Sequence, residues 1–244
     1  MTSTVEPLWL FDLDGTIIDT NSFPLWTMEI LAGRLPHLDP MTRLCVSARC
    51  AAALAARKVL RQSHAQFKSR LQRLWSEVTA AHPNRQLLES FIDRLMTHVR
   101  PALQDVLEDV AKSRIDAILT TAAAAEYAQP LAQRLGFRHV IATPSGGLDP
   151  ALDNVGATKR QRTLEYIAQR GWVGRPRIFF TDHRDDLPLI GECQAVVWFG
   201  EDQEETALRA MLPGIVAFAA RELSAGVAQD WAARQRRGGS ATCT

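Results

Sequence analysis

Leu8-Trp-Leu-Phe-Asp-Leu-Asp-Gly-Thr16 is the stretch that decides the fold of this chain. An apolar run of strand length ends in two carboxylates separated by one residue, followed by an Asp-Gly turn signal and a hydroxyl. Side chains two residues apart on an extended chain point to the same side, so Asp12 and Asp14 start as neighbours on one face. Two carboxylates a few ångströms apart repel each other, and a chain that keeps both usually shares a cation or a proton between them.

The same stretch is also typical of a plain strand that ends in an Asp-Gly turn. A calcium-binding EF-hand loop is excluded, because counting from Asp12 the required Gly falls at Ile17 and the twelfth-position Glu at Phe23. The other strand ends of the chain therefore decide whether this pair of carboxylates has a chemical role.

The composition is that of a chain able to bury a large core, with 244 residues and 46% hydrophobic content. A net charge of +1 gives no case for nucleic-acid binding. The N-terminus lacks the pattern of a secretory signal, and no apolar run reaches the roughly 18 residues that span a bilayer. The cysteines form no zinc-spaced cluster and no Cys-x-x-Cys pair, and we interpret them as reduced thiols: Cys45, Cys50, Cys193 and Cys243. We expect a cytoplasmic protein with no membrane or nucleic-acid partner; its oligomeric state cannot be read from the sequence.

The segment after the first strand predicts an all-helical insertion. Breaks at Pro36, Pro40, Ser63 and Pro83 divide it into about four helices. Three apolar stripes at helical spacing predict the faces that pack together: Leu44, Ala48, Ala51, Ala55 and Val59; Phe67, Leu71, Leu74 and Val78; Leu87, Leu88, Phe91, Ile92 and Leu95. The insertion also has an excess of about seven positive charges, which favours an anionic ligand that approaches it.

From Pro101 onward strands and helices alternate. Counting the first, we predict five strands: Leu8–Phe11, Ile115–Thr120, His139–Ala142, Arg177–Phe180 and Gln194–Phe199. We predict helices at 102–112, 124–135, 158–170, 204–212 and 215–223. Regular alternation indicates an α/β fold, a parallel sheet with helices on both faces and ligands at the carboxyl ends of its strands.

Residues that can carry chemistry follow these strands. Thr120 or Thr121 ends the second strand, and Thr181-Asp182-His-Arg-Asp-Asp186 follows the fourth. An acidic cluster at one edge of a sheet needs neutralisation, and hard oxygen ligands select Mg²⁺. Lys159 lies in the first turn of its predicted helix, where the helix dipole disfavours a cation, so we interpret it as placed for an anion outside the helix. Arg160 is the competitor for this role.

These motifs resemble those of the haloacid dehalogenase superfamily of phosphohydrolases. Asp12-Leu-Asp14-Gly-Thr looks like the first motif, Ala-Ile-Leu-Thr120 the second, Lys159 the third, and Asp182-His-Arg-Asp-Asp186 the acidic fourth, in the order of that family. The run from Glu126 to Phe137 is closest to the phosphoserine phosphatase-like branch. The resemblance implies a Rossmann-like core at 1–20 and 101–233, with a helical cap at 21–100. The Gly-rich end at 234–244 is expected to be a flexible tail.

Two departures from the family pattern bear on the substrate and the metal. Thr181 and His183 stand where relatives usually carry Gly and Ser, which leaves the metal-binding carboxylates in place. The run Asp19-Thr-Asn-Ser22 lacks the Glu that phosphoserine phosphatases use near the substrate amine, which argues against phosphoserine itself. The basic cap suggests a small phosphorylated molecule with a further anionic or polar group. Phe23, Trp26 and Met28 are candidates for an apolar wall, with core packing as the alternative.

The resemblance implies a Mg²⁺-dependent phosphatase that acts through an aspartyl-phosphate. Asp12 is then the nucleophile and Asp14 the residue that gives and takes the proton. Thr120, Lys159 and Gly15 bind the phosphate; Asp12, Asp14 and Asp182 hold Mg²⁺; and Asp186 orients its surroundings. Two alternatives stay open, a phosphotransferase or phosphomutase on the same scaffold and a non-catalytic phosphate-binding regulatory protein.

Overall fold

The computed structural model of the protein describes residues 6–32, 38–59, 61, 64–81, 86–144 and 150–237. Its strands are β1 (Leu8–Phe11), β2 (Asp116–Ala124), β3 (His139–Thr143), β4 (Arg177–Thr181), β5 (Ala195–Trp198) and β6 (Val216–Ala219). Its helices are α1 (Ser22–Leu31), α2 (Pro40–Val59), α3 (His64–Ala81), α4 (Gln86–Met96), α5 (Gln104–Ala111), α6 (Ala125–Arg134), α7 (Gly156–Gln169), α8 (Leu187–Ile190), α9 (Asp202–Met211) and α10 (Val227–Arg236). Of the predicted helix breaks, Pro36, Ser63 and Pro83 lie outside the described residues.

The strands form one parallel sheet in the order β3-β2-β1-β4-β5-β6. The first strand lies inside the sheet, where Phe11 is in register with Leu119 of β2 and Phe180 of β4. All four residues of β1 are buried, because helices cover both faces. This arrangement confirms the predicted α/β class.

The two faces of the sheet bury separate sets of side chains. On one face Phe11 stacks on Phe180 at 4.4 Å between ring centroids and packs with α5, α6 and the helical insertion. On the other face Leu10 and Phe179 pack with α7, α8 and α9. Successive strand residues alternate between these faces, so a shift of one residue changes the side of the sheet on which a side chain lies.

The end of the chain differs from the prediction. We predicted a helix at 215–223, but residues Val216–Ala219 form β6, with Phe218 in register with Val197 of β5. The ladder of backbone hydrogen bonds to β5 outweighs the helix propensity of its alanines, since propensity is a weak preference that tertiary context overrides. The tail predicted from Arg234 also starts too early, because α10 continues to Arg236; residues 238–244 lie outside the described part.

The helical insertion, α1 to α4, leaves and rejoins the sheet at one place. Its entry and exit segments pair with each other, since Asp19 N–H donates to the His98 carbonyl at 3.0 Å and Arg100 N–H donates to the Ile17 carbonyl at 2.9 Å. Most residues of two predicted stripes are buried, namely Phe67, Leu71 and Leu74 in α3 and Phe91, Ile92 and Leu95 in α4; the side chains of Val78 and Leu87 lie outside the described part. None of the described helices is both long enough and apolar enough to cross a bilayer.

The stripe predicted for α2 is not a packing face. Leu44 is 65% exposed and Val59 77% exposed, and the three alanines between them are exposed as well. Instead α2 buries Val46 and Cys50 from another face. Alanine is weakly hydrophobic, so a stripe built mainly of alanine loses little when it faces water.

Candidate active site

The carboxyl ends of β1 and β4 meet at one edge of the sheet and border a cavity of about 380 Å³. Six of the predicted site residues line it: Asp12, Asp14, Gly15, Lys159, Asp182 and Asp186. They come from the ends of β1 and β4 and the first turn of α7, which are far apart in sequence. The parallel sheet brings them together because its strand ends share one edge.

Asp12 is held by residues of the sheet and of α7. It follows β1 directly and is 8% exposed. Lys159 Nζ lies 3.1 Å from Asp12 Oδ1, the distance of an ion pair. Burial raises the pKa of Asp12 to about 7, because the charge of Lys159 offsets only part of the desolvation and the charges of nearby carboxylates add to it. One lysine is therefore not enough cation to keep this carboxylate fully ionised.

Lys159 is enclosed by two carboxylates. It is 2% exposed and also donates to Asp186 Oδ2 at 2.8 Å. Burial disfavours its charge, but Asp12 and Asp186 outweigh that effect and raise the pKa of Lys159, so it stays an ammonium. Thr181 Oγ1 donates to the same Asp186 oxygen at 2.6 Å, so Thr181 orients Asp186, which in turn binds Lys159. A role of Asp186 around a metal stays a prediction.

Asp14 is held by the start of the helical insertion. Ser22, the first residue of α1, donates its backbone N–H to Oδ1 and its hydroxyl to Oδ2, each at 3.0 Å. Burial raises the pKa of Asp14 to about 6, and the two hydrogen bonds from Ser22 lower it by less. A carboxyl group that titrates near neutral pH and faces neutral donors can both give and take a proton.

Gly15 allows Asp182 to approach the main chain. Its φ is +69°, and a Cβ there would lie 1.9 Å from Asp182 Oδ2, so no larger residue fits. Thr16 Oγ1 donates to Asp182 Oδ1 at 3.3 Å. The N–H of Gly15 donates to the Thr20 carbonyl at 3.1 Å, so it is occupied by the turn and is not available for the phosphate contact that we predicted.

The donors at this edge fit a hard divalent cation. Asp12 Oδ1 is buried without an aligned hydrogen bond from any described residue, and burial raises the pKa of Asp182. No group of three His, Cys, Asp or Glu side chains among the described residues is arranged to hold a metal. The predicted ligands are of a different kind, since they comprise the side chains of Asp12 and Asp182 and the backbone carbonyl of Asp14. All three supply oxygen, which suits Mg²⁺.

Thr120 is the predicted site residue that the structure does not bring to the cavity. It is fully buried, and its hydroxyl lies 2.8 Å from that of Thr163 in α7 and 3.4 Å from Asn154 Nδ2. Its side chain therefore ties β2 to α7, and the phosphate contact predicted for it is not supported. Thr121 is 1% exposed and does not line the cavity itself, but the next residue, Ala122, does. The Oγ1 of Thr121 accepts from Ala123 N–H at 3.0 Å.

The helical insertion contributes little charge to the cavity. None of its described Lys and Arg residues lines it; Arg49, Arg70 and Arg73 instead border a separate groove of about 320 Å³ between α2 and α3. The aromatic wall that we considered is also not formed: Phe23 and Trp26 are buried in the core, and Met28 is 59% exposed. The expected preference for a second anionic group on the ligand therefore has no support in the described lining.

Sequence reasoning missed three residues that hold this region together. Ser22 and Tyr127 form hydrogen bonds behind Asp14. Lys68 of α3 is 5% exposed and bonds the Ala122 carbonyl and the carboxylate of Asp153, which joins the insertion to the sheet edge. Apart from the contact of Ser22 with Asp14, which are 8 positions apart, the partners are separated by 54 to 105 positions, so the sequence holds no local signal for them.

Comparisons with known proteins agree with this architecture. Residues 9–190 match the family model of the haloacid dehalogenase-like hydrolases. None of the curated proteins compared with the chain matches it. Several solved structures do.

A protein of unknown function from Bordetella pertussis Tohama I is 21% identical, with a TM-score of 0.68 over 89% of this chain and 100% of that one. A probable phosphoserine phosphatase from Vibrio cholerae is 13% identical, with a TM-score of 0.58 over 97% of this chain and 69% of that one. A phospho-aspartyl intermediate analogue of phosphoserine phosphatase is 11% identical, with a TM-score of 0.52 over 91% and 99% of the two chains. At these identities the likeness shows a shared fold.

Proposed function

The chain belongs to the haloacid dehalogenase-like hydrolases, and we propose that it hydrolyses a small organic phosphate monoester with the help of Mg²⁺. The observation that carries the proposal is the pair at the end of β1. Asp12 faces a buried lysine, and two residues later Asp14 has a pKa of about 6. A nucleophile beside a proton carrier, both at the floor of one cavity, is what stepwise transfer of a phosphoryl group requires.

The first step places the phosphoryl group on Asp12. A carboxylate oxygen of Asp12 bonds to phosphorus while the bond from phosphorus to the leaving oxygen breaks. Asp14 gives its proton to that leaving oxygen, so the product departs as a neutral alcohol and Asp14 becomes a carboxylate. The titration of Asp14 near neutral pH supports this role, because a carboxyl of ordinary pKa would hold no proton to give.

The second step frees the enzyme. A water oxygen bonds to phosphorus while the bond from phosphorus to Asp12 breaks, and inorganic phosphate leaves. Asp14 accepts the proton of that water and returns to its starting state, so protons and bonds balance over one turnover. Solved structures of similar fold include an analogue of the phospho-aspartyl form of phosphoserine phosphatase, which supports the covalent route.

The remaining polar groups hold the phosphoryl oxygens and the cation. Lys159 supplies a fixed positive charge, and we assign the hydroxyl contact to Thr121, whose oxygen already accepts from Ala123 and so keeps its own proton for donation. Mg²⁺ held by Asp12, Asp182 and the carbonyl of Asp14 would offset the charge of nucleophile and phosphate. Residues 21–100 serve as a cap over the core of residues 1–20 and 101–233. The substrate is a small phosphorylated molecule.

The test is release of phosphate from p-nitrophenyl phosphate as Mg²⁺ is varied, with Gly15→Ala and Gly171→Ala as matched variants. Both glycines have φ near +70°, but a Cβ at Gly171 meets nothing within 4 Å. We expect Gly15→Ala to displace Asp182 and raise the Mg²⁺ concentration for half-maximal rate by about 10-fold or more. Gly171→Ala should cost only backbone strain, about 1 kcal/mol, and leave the Mg²⁺ dependence unchanged.

Two results would contradict the proposal. Absence of phosphate release from every phosphorylated metabolite and aryl phosphate tried with Mg²⁺ would favour a non-catalytic phosphate-binding protein. Transfer of the phosphoryl group to an added alcohol in preference to water would favour a phosphotransferase. A thermal shift of the protein with Mg²⁺ provides a readout of metal binding that does not depend on turnover.

A further inference from the structure

We infer that Ser22 and Tyr127 are positioning residues, which hold the carboxyl group of Asp14 in one orientation while it gives and takes a proton. The inference rests on the proposed function and adds a part of the machinery that neither the motifs nor the lining of the cavity indicates. Neither residue needs to touch the substrate, because both act through Asp14.

Three groups, Asp14, Ser22 and Tyr127, are linked in series by hydrogen bonds, and the series ends inside the protein. Ser22 Oγ lies 3.0 Å from Asp14 Oδ2 and 2.9 Å from Tyr127 Oη, and the backbone N–H of Ser22 reaches Asp14 Oδ1 at 3.0 Å. Ser22 and Tyr127 are both fully buried. No bulk water therefore competes for these hydrogen bonds, and a polar group that lost its partner here would stay unsatisfied.

The directions of these hydrogen bonds follow from the number of protons. A serine hydroxyl has one proton, so when it donates to Asp14 it must accept from Tyr127. Burial raises the pKa of Tyr127, and the nearby Asp14 charge raises it further, so the phenol keeps its proton. Tyr127 thus prevents the Ser22 hydroxyl from rotating away from Asp14.

This arrangement suits a group that changes its protonation state twice per turnover. Each carboxyl oxygen has two lone pairs, and Ser22 occupies one on each oxygen. The others stay available for the transferred proton, so the carboxyl group need not rotate between the two steps. Both donors are neutral. They orient Asp14 and favour its anionic form less than a directly bonded lysine would.

The cap helices hold Tyr127, the last residue of the hydrogen-bonded series. The ring of Tyr127 packs edge-on against Trp26 of α1 and Phe91 of α4, each at 5.4 Å between centroids. Ser22 is itself the first residue of α1. The orientation of Asp14 therefore depends on how the cap helices α1 and α4 pack against the core.

The experiment compares aryl phosphates whose leaving groups differ in their need for a proton. p-Nitrophenolate leaves without protonation, whereas phenolate is a poor leaving group that needs it. The variants are Ser22→Ala and Tyr127→Phe, and the control is Tyr166→Phe. Tyr166 is the other tyrosine of the chain, and its hydroxyl bonds His139 and Arg170 away from the cavity. The quantity measured is kcat/KM, which reports the first phosphoryl transfer.

We expect Ser22→Ala to stay within about 3-fold of the wild type on p-nitrophenyl phosphate and to lose about 30-fold on phenyl phosphate, a part of what general acid catalysis contributes. Tyr127→Phe should show the same leaving-group dependence with a loss of about 5-fold, since Ser22 keeps its hydroxyl. Tyr166→Phe should match the wild type on both substrates.

Other results overturn the inference. An equal loss on both substrates would show that the residues act on packing or binding, and unchanged rates on both would show that Asp14 needs no support. If Ser22→Ala does not fold, Tyr127→Phe alone decides between these outcomes. Failure of the wild type to hydrolyse either ester would instead overturn the proposed function, and the inference with it.

Discussion

Asp12 and Asp14 are two residues apart on one chain, yet the fold gives them opposite surroundings. Asp12 faces the core side, where Lys159 and Asp186 form a fully buried ionic group. Asp14 faces the cap side, where its partner is the neutral Ser22, with the hydroxyl of Tyr127 behind it. The first carboxylate pairs directly with a charged group, Lys159, whereas the hydrogen bonds to the second come from the neutral Ser22.

The difference shows how one acidic pair can serve two purposes. Coulombic attraction to Lys159 lowers the pKa of Asp12 but does not offset the effect of burial, so Asp12 needs a further cation to be fully ionised, whereas the neutral Ser22 orients Asp14 through two hydrogen bonds. In the proposed mechanism, the end of β1 separates a nucleophile from a proton carrier through different partners, Lys159 of α7 for one and Ser22 of α1 for the other. The predictions below test that separation.

The largest expected effect distinguishes Asp12 from Asp14 by whether a variant at each position can still form the phosphorylated enzyme. Asp12→Asn should lower kcat/KM for p-nitrophenyl phosphate by at least about 10⁴-fold, because the nucleophile is gone. Asp14→Asn should still accept a phosphoryl group from this ester, whose leaving group needs no proton, but should fail to hydrolyse it. Intact-mass measurement after an acid quench should find the added phosphoryl group on Asp14→Asn and not on Asp12→Asn. Equal loss of labelling in both variants would contradict separate roles, and activity of Asp12→Asn would contradict the covalent route.

A smaller effect separates the two adjacent threonines of β2, Thr120 and Thr121. Thr121→Val should lower kcat by about 10- to 100-fold, since it removes one hydrogen bond to the phosphoryl group. Thr120→Val removes the bonds to Thr163 and Asn154 and should cost about 1–2 kcal/mol of stability with little change in kcat. Steady-state kinetics and urea denaturation of both variants provide the check. The reverse pattern would return the phosphate contact to Thr120, where the sequence motif placed it.

Local patterns explain why much of this site could be predicted. The apolar runs that end in Asp12 and in Asp182 are visible in the sequence, and the rule that parallel strands place ligands at their carboxyl ends brings the two ends together. Lys159 was predicted from its unfavourable place in the first turn of a helix, and it lies there in α7. The family predicted from these motifs is confirmed by the family model.

The errors have physical reasons too. The sheet alternates its side chains, and Thr120 of β2 faces α7, where its hydroxyl meets that of Thr163, so the phosphate contact assigned to Thr120 from the motif depended on a side-chain direction that the sequence does not show. The strand β6 has only four residues, too few for periodicity to distinguish from a helix, and its pairing with β5 is a tertiary contact. Ser22 and Tyr127 are 105 positions apart, so their contact has no local signature.

The smallest expected effect concerns stability and follows from the raised pKa of Asp14. In the folded protein this pKa is about 6, above the ordinary value of 3.8, so the folded state binds the proton more tightly than the unfolded chain does. The contribution of Asp14 to stability therefore falls as pH rises from about 4 to 6, and above that range its ionisation in the folded state has its full unfavourable effect. Asp14→Asn removes this cost but leaves one Ser22 donor without an acceptor. In a chelator, we expect the variant to be about 1–2 kcal/mol more stable than the wild type at pH 8 and no more stable at pH 4. Urea denaturation at both pH values measures this difference, and a variant less stable than the wild type at pH 8 would show that the folded state does not hold Asp14 against its preferred ionisation.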